Sequence, residues 1–285
     1  MSVRLPDAAR VDDRTIVITG GSSGIGRAAA NALADLGANV VVVGRTPERV
    51  QAAAKEVRGR GYLADFTSLA SVRDLAERLL ADLPQIHVLA NNAGGLTDKQ
   101  TTVDGFDATF QQNHLSGFLL TNLLLDRIRS TAQVAPAGSV RIIQTSSVAN
   151  RSGKVRLDDL DNNTGPWLKG MPAYSNSKLE NILFTRELAR RLRGTGVSSY
   201  AFHPGAVRTN FAEGGTSSGI FKLLAISPEK GAEPLVRLAA APVVPAPSGN
   251  YFHRLKAPGP TAKQALDRGL MTALWQESER RAGLG

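Results

Sequence analysis

Tyr174 and Lys178 stand four residues apart in the stretch "PAYSNSKLEN", residues 172–181. On a helix that spacing brings both side chains out on one face. A phenol titrates near 10 and is a poor proton donor or acceptor at neutral pH, but a fixed ammonium nearby favours the phenolate. The pair is therefore a candidate acid–base device in which the lysine lowers the tyrosine. Tyrosine and lysine also meet at this spacing on many ordinary helices, so the surrounding chain has to decide.

A second chemistry is written at 19–26, "TGGSSGIG", at the end of the apolar run "TIVIT". Gly20, Gly24 and Gly26 let the backbone turn tightly and approach a pyrophosphate. Ser22, Ser23 and Ile25 lie in the same turn, where the next helix offers unpaired amides and a partial positive charge. The next apolar run, "ANVVVVGR" (38–45), ends at Arg45 rather than at the Asp or Glu that would accept hydrogen bonds from a free ribose 2′-hydroxyl. A guanidinium there suits a 2′-phosphate, which predicts NADPH in preference to NADH. Asp65 could accept from an adenine amino group or simply cap the helix that follows it. No cluster of His, Asp or Glu has metal-ligand spacing, so no metal is expected.

These groups need a scaffold, and the apolar pattern supplies an alternation of strands and helices. Strands are predicted at 15–20, 38–45, 62–65, 86–92, 139–147 and 197–205. Helices are predicted at 24–37, from Thr46, at 68–82, at 104–132 and around Tyr174 and Lys178. Nearly continuous Val/Ile strands separated by helices imply a doubly wound parallel sheet with helices on both faces, a Rossmann fold of about seven strands. The loop-like segments 150–171 and 211–227 follow strand ends on the side where such sheets bind ligands, and are candidates for substrate contacts and a lid.

The chain of 285 residues, 42% of them hydrophobic, fits one large α/β domain, 1–285, with a polar N-terminal extension at 1–13. The absence of cysteine excludes a disulfide framework, a thiolate metal site and a cysteine nucleophile. It is compatible with a reducing compartment, and the expected location is the cytoplasm. The N-terminus lacks the apolar core of a signal peptide, and "FLLTNLLL" (118–125) is too short to span a bilayer, so no membrane insertion is expected. Of the 34 basic residues, which give a net charge of +9, the densest run is "RELARRLRG" (186–194), with the spacing of a solvated helix face. Nucleic acid is not an expected partner; an anionic cofactor would profit from the same positive field.

Taken together, "TGGSSGIG", "NNAG" (91–94), "YSNSK" and "HPGAVRTN" (203–210) occur in the order and spacing of the short-chain dehydrogenases/reductases, which the chain resembles over almost its whole length. It looks most like the retinol-dehydrogenase-like carbonyl reductases, through "NHLSGFLLTNLLL" (113–125), "LFTRELARRL" (183–192) and "SPEKGAEPLVRLA" (227–239). The resemblance implies that Tyr174 exchanges a proton with a carbonyl or alcohol oxygen. Lys178 would lower the phenol and hold the nicotinamide ribose, Ser147 would orient the substrate oxygen, and Asn113 would hold a water continuing a proton relay. Ser146 stands beside Ser147, and the choice of Ser147 rests on its place at the strand end. Asn91, Asn92, Ala93 and Gly94 would line the adenosine side and steady the central strands. Pro204, Gly205, Val207 and Thr209 would meet the nicotinamide end, with His203 shaping the turn before them. Family members commonly form homodimers or homotetramers through the helices near 104–132 and 173–193.

The expected activity is NADP(H)-dependent reduction of a ketone or aldehyde, or the reverse oxidation of an alcohol. Trp167, Leu168 and Met171 in one loop, with Phe211, Ile220, Phe221 and Leu223 in the other, suggest an apolar, aromatic or polycyclic substrate. A catalytically silent nucleotide-binding regulator of the same fold is the alternative, and a complete set of Asn113, Ser147, Tyr174 and Lys178 counts against it. A sugar-nucleotide epimerase or dehydratase is disfavoured by the glycine spacing and by the lack of a large C-terminal substrate domain.

Overall fold

The Val-rich segments Ile16–Ile18 and Val40–Val43 are apolar at every position, so they can only be satisfied inside a sheet covered on both faces. The computed structural model describes residues 9–205 and 226–284, and the sheet it forms has seven strands, all parallel. Its elements run β1 (Thr15–Thr19), α1 (Gly24–Asp35), β2 (Asn39–Gly44), α2 (Pro47–Glu56), β3 (Arg60–Leu63), α3 (Leu69–Asp82) and β4 (Val88–Asn91). Then come α4 (Ala108–Phe110), a π turn (Gln111–Leu115), α5 (Ser116–Val134), β5 (Val140–Thr145), α6 (Met171–Arg191) and β6 (Val197–His203). The chain continues with α7 (Pro228–Ala240), β7 (Tyr251–His253) and α8 (Arg268–Ala282). The strand order is β3-β2-β1-β4-β5-β6-β7. The chain thus winds outward from β1 in one direction and then in the other, and the loops after β1 and β4 part at the switch. One face of the sheet packs on α1, α2 and α7, the other on α3, α5 and α6.

Several boundaries differ from those the pattern predicts. The third strand lies at 60–63 rather than 62–65, which leaves Asp65 in the loop beyond it. The helix expected from 104 begins at Ala108, where the Asp107 carboxylate accepts the Phe110 amide at 2.9 Å; the residues before it make a small turn closed by a Thr101–Asp107 bridge. It is also not one α-helix, because the π turn interrupts it. Strand β7 and helices α7 and α8 lie beyond the elements that periodicity predicts.

Helix α8 lies across α5 and α6, the two helices through which the family resemblance predicts pairing of copies. Trp275 packs against the Phe118 ring at 4.9 Å and the Phe184 ring at 5.7 Å, with the Arg191 guanidinium 4.1 Å over the indole. Arg281 pairs with Asp161 at 2.6 Å, and Ser278 Oγ lies 3.0 Å from Nε2 of the buried His114, which burial lowers to about 4 and so keeps neutral. Among the described residues no helix is long and apolar enough to cross a membrane.

Arg141, on β5, is 1% exposed, yet among the described residues its guanidinium has no acidic partner; it donates to the carbonyls of Gly138 (2.8 Å), Leu238 (2.6 Å) and Ala241 (2.6 Å). Two of these belong to the C-terminal end of α7, whose last carbonyls have no partner within the helix. Burial lowers Arg141 to about 10, so it stays charged at neutral pH. Arg141→Ala is expected to cost about 3 kcal/mol by orphaning these acceptors. Urea denaturation would measure it as a lower midpoint with unchanged slope.

Candidate active site

Strand β5 ends at Thr145, and the two serines that follow have different fates. Ser146 is buried, takes its place beside β6 through a hydrogen bond that its amide donates to the Phe202 carbonyl (2.8 Å), and donates its hydroxyl to the Lys178 carbonyl (2.7 Å). Ser147 opens a short 3-10 turn, Val148–Ser152; its hydroxyl oxygen accepts the Ala149 amide at 3.2 Å and is in hydrogen-bonding contact with the Tyr174 phenol. The structure brings Ser147, not Ser146, to the tyrosine.

Helix α6 starts after Gly170, and its first turns carry Tyr174 and Lys178, both buried. The ammonium of Lys178 donates to Asn113 Oδ1 (3.1 Å) and to the Thr145 carbonyl (3.3 Å), and lies 5.3 Å from the centre of the Tyr174 ring. Asn113 sits in the π turn, where its amide nitrogen donates to the carbonyls of Gly95 (2.8 Å) and Thr109 (2.9 Å) while Oδ1 also accepts the Gly95 amide (2.9 Å). Such an irregular turn re-aims one side chain without ending the helix. Asn113 and Lys178 therefore touch directly.

The electrostatics correct the expected tuning of the phenol. Burial pushes Tyr174 up to about 12, opposed by its bond with Ser147, and pushes Lys178 down to about 7. Burial outweighs the expected pull: the Lys178 ammonium is 5.3 Å from the centre of the Tyr174 ring, and desolvation weakens its own charge. At neutral pH the phenol keeps its proton and is set up as an acid.

The glycine-rich turn joins β1 to α1 next to this array. Gly26 is packed so closely that a Cβ would lie 2.2 Å from the Gly20 carbonyl oxygen and 2.7 Å from Asn92 Nδ2. Ser23 is the N-cap of α1 but makes no side-chain cap, and the first turn of the helix has no acidic residue, so its amides and positive end face outward. Gly20, Ser22, Ser23, Gly24, Ile25 and Gly26 thus form a cradle that fits a pyrophosphate. Arg45, directly after β2, is exposed and makes no ion pair with a described residue. Asp65 Oδ1 accepts the amide and hydroxyl of Thr67 (2.9 and 2.7 Å), closing a turn ahead of α3; the helix itself is capped by Ser68, whose hydroxyl accepts the Ser71 amide (3.3 Å), and not by Asp65.

Asn92 ties the sheet together at the switch: Nδ2 donates to the Thr19 carbonyl (3.0 Å) and Oδ1 accepts the Thr145 hydroxyl (3.2 Å). Ala93 and Gly94 follow, the latter against Asn113 Oδ1. Pro204 and Gly205 lie at the end of β6, beyond His203, which is buried and lowered to about 4 by desolvation. Val207 and Thr209 lie outside the described residues. Two participants escaped the sequence reading. Thr19 is fully buried, donates to the Ala90 carbonyl (3.3 Å) and accepts the amides of Asn92 and Ala93 (both 2.9 Å). Asn181, one turn beyond Lys178, donates to the same Thr145 carbonyl as the lysine (3.1 Å). Their signal was position alone, Thr19 at the end of β1 and Asn181 on the lysine's helix face.

The profile of the family described as "short chain dehydrogenase" matches residues 14–217. This chain belongs to the short-chain dehydrogenases. It is 39% identical to human "Retinol dehydrogenase 13" over 98% of this chain and 87% of that protein. It is 44% identical to "Putative daunorubicin C-13 ketoreductase DnrU" of Streptomyces sp. (strain C5), over 95% of this chain and 93% of that one. A crystal structure of an uncharacterized protein from Mycobacterium Paratuberculosis superposes with a TM-score of 0.78 at 32% identity, covering 98% of this chain and 96% of that one.

In this short-chain dehydrogenase the segment between β5 and α6 packs against the loop after β4 at Gly170, whose nearest neighbours are Trp167, Thr97 and Leu96. Beside it a cleft of about 280 Å³ is lined by Lys99, Lys154, Trp167, Thr164 and Asn176 among others. Leu168 and Met171, on either side of Gly170, are exposed. The candidate substrate residues Phe211, Ile220, Phe221 and Leu223 lie outside the described residues. Among the described residues no three His, Cys, Asp or Glu side chains converge as a metal site.

Proposed function

We propose that this short-chain dehydrogenase is an NADP(H)-dependent carbonyl reductase acting on an apolar, aromatic or polycyclic ketone or aldehyde, with Tyr174 as the proton donor. The observation that carries this is the unbroken array Ser147–Tyr174–Lys178–Asn113 at the carboxyl ends of β4 and β5. The cofactor, when bound, supplies the hydride. The glycine-rich turn would hold its pyrophosphate, Arg45 its 2′-phosphate, and Lys178 its nicotinamide ribose. Ser147 and Tyr174 offer two hydroxyls to one carbonyl oxygen; Ser147 orients it and Tyr174 gives it a proton as negative charge develops there. Lys178, with Asn113 behind it, is placed to return the proton that the phenol gives up. The likeness to a protein named as a ketoreductase of daunorubicin supports both reduction and a polycyclic substrate.

The test is loss of near-ultraviolet NADPH absorbance across a panel of small aldehydes, aromatic ketones, retinoids and polycyclic quinones, with NADH as control. Turnover of a carbonyl substrate with NADPH is the expected result; tight NADPH binding with no turnover of any member would favour a silent binder. Arg45→Ala tests the cofactor preference separately. Loss of the guanidinium is expected to weaken NADPH about tenfold and to leave NADH unchanged, as read by fluorescence titration. Equal affinity of the wild type for both cofactors would remove Arg45 from this role.

A further inference from the structure

Twenty-seven positions separate Ser147 from Tyr174, so their meeting depends on what fixes the intervening segment at the serine end. Asn150 is fully buried, at 0% exposure, in the 3-10 turn that Ser147 opens. Its side chain points back and across at once. Nδ2 donates to the Ser147 carbonyl at 2.7 Å, beside the Asn150 amide that donates to the same oxygen at 3.1 Å; Oδ1 accepts the Ala262 amide at 3.3 Å. The buried phenol of Tyr251, on β7, stands against the same side chain.

Two further contacts hold this turn in place. Gln264 exchanges hydrogen bonds with both the amide and the carbonyl of Val155 at 3.0 Å. Gly153 lies so close to α6 that a Cβ there would be 2.5 Å from the Ser175 carbonyl oxygen, and the Ser152 hydroxyl meets that of Ser175 at 3.2 Å. The serine's turn is thus clamped between the helix carrying Tyr174 and the segment following β7. Within the turn, Asn150 is the side chain bonded to the Ser147 backbone. A side chain committed at both ends to backbone groups, buried beyond reach of solvent, acts on geometry rather than on chemistry.

We infer that Asn150 is the positioning residue of Ser147: it fixes the serine hydroxyl at the Tyr174 phenol by tying the serine's own carbonyl to the strand-following segment at Ala262. This rests on the assignment of Ser147 made above. A misplacement of about 1 Å at a reacting centre costs about a hundredfold. Asn150→Ala is therefore expected to lower kcat about tenfold to a hundredfold, with KM and NADPH affinity within about threefold of wild type.

A double-mutant cycle with Ser147→Ala reads the coupling, in NADPH turnover of the best carbonyl substrate of the panel. In the Ser147→Ala background Asn150→Ala should cost less than about threefold more, because the group it positions is gone. The same loss in both backgrounds, or a loss confined to KM, would overturn the inference while leaving the serine's role intact. Turnover unchanged by Ser147→Ala would instead bring down the assignment beneath it. Should Asn150→Ala not fold, Asn150→Asp keeps the shape. Its carboxyl can donate to the Ser147 carbonyl only while protonated, so the variant should lose activity as pH rises through the titration of that group, a limb the wild type lacks. A pH profile parallel to wild type would overturn the inference.

Discussion

Tyr174→Phe is expected to lower carbonyl turnover by about a thousandfold or more while leaving NADPH affinity within about twofold. The substitution removes one oxygen atom from a side chain that is already 7% exposed, so ring packing and the face of α6 survive. What goes is the proton. With the phenol pushed up to about 12, the hydroxyl is fully protonated across the physiological range. It therefore holds a proton that can be given up once negative charge develops on the substrate oxygen, and among the described residues nothing near it substitutes: the Lys178 ammonium is turned to Asn113 and the Thr145 carbonyl, and Ser147 is a much weaker acid. Stopped-flow or steady-state loss of NADPH absorbance, alongside a cofactor titration, separates the two effects. Retained turnover would move the acid role elsewhere; loss of NADPH binding would mean that the ring, not the proton, is what the site uses.

Gly26→Ala should have an effect as large on the other half of the reaction, weakening NADPH by more than about a hundredfold. The new methyl group would sit 2.2 Å from the Gly20 carbonyl oxygen, a backbone atom, and 2.7 Å from Asn92 Nδ2. Neither neighbour is a free-swinging side-chain end. The carbonyl belongs to the turn itself, and the Asn92 amide is bonded to the Thr19 carbonyl, with its oxygen taken by Thr145. Relief must come from moving the turn away from α1, which separates the helix amides from the place where a pyrophosphate would lie. Equilibrium titration by protein fluorescence, with circular dichroism to verify folding, is the check. An NADPH affinity within threefold of wild type would show that the turn is not where the cofactor rests.

The parts of the molecule most legible in sequence were those where one physical demand dominates. Strands such as Val40–Val43 are buried on both faces and had to be apolar throughout, and a glycine-rich turn between a strand and a helix has few uses. The topology followed from the alternation. The π turn was illegible because a side chain re-aimed by one extra residue leaves no trace in an apolar stripe. β7 spans only three residues, too few to show a period; in α8 the apolar face of Leu270, Met271, Leu274 and Trp275 gives way to Ser278 and a charged last turn, which shortens its stripe. The ionisation of Tyr174 and Lys178 was misread for a related reason. Spacing on a helix says that two groups share a face, but not that burial outweighs their attraction, and here it does.

The seam that α8 makes with α5 and α6 belongs to a single polypeptide. Trp275 meets Phe118 and Phe184, and Ser278 meets His114, the neighbour of Asn113, at an effective concentration set by the connecting chain rather than by how much protein is present. Dilution leaves such a contact untouched. The turn that holds Asn113 against Lys178 is accordingly braced alike in a crowded cell and in a nanomolar assay.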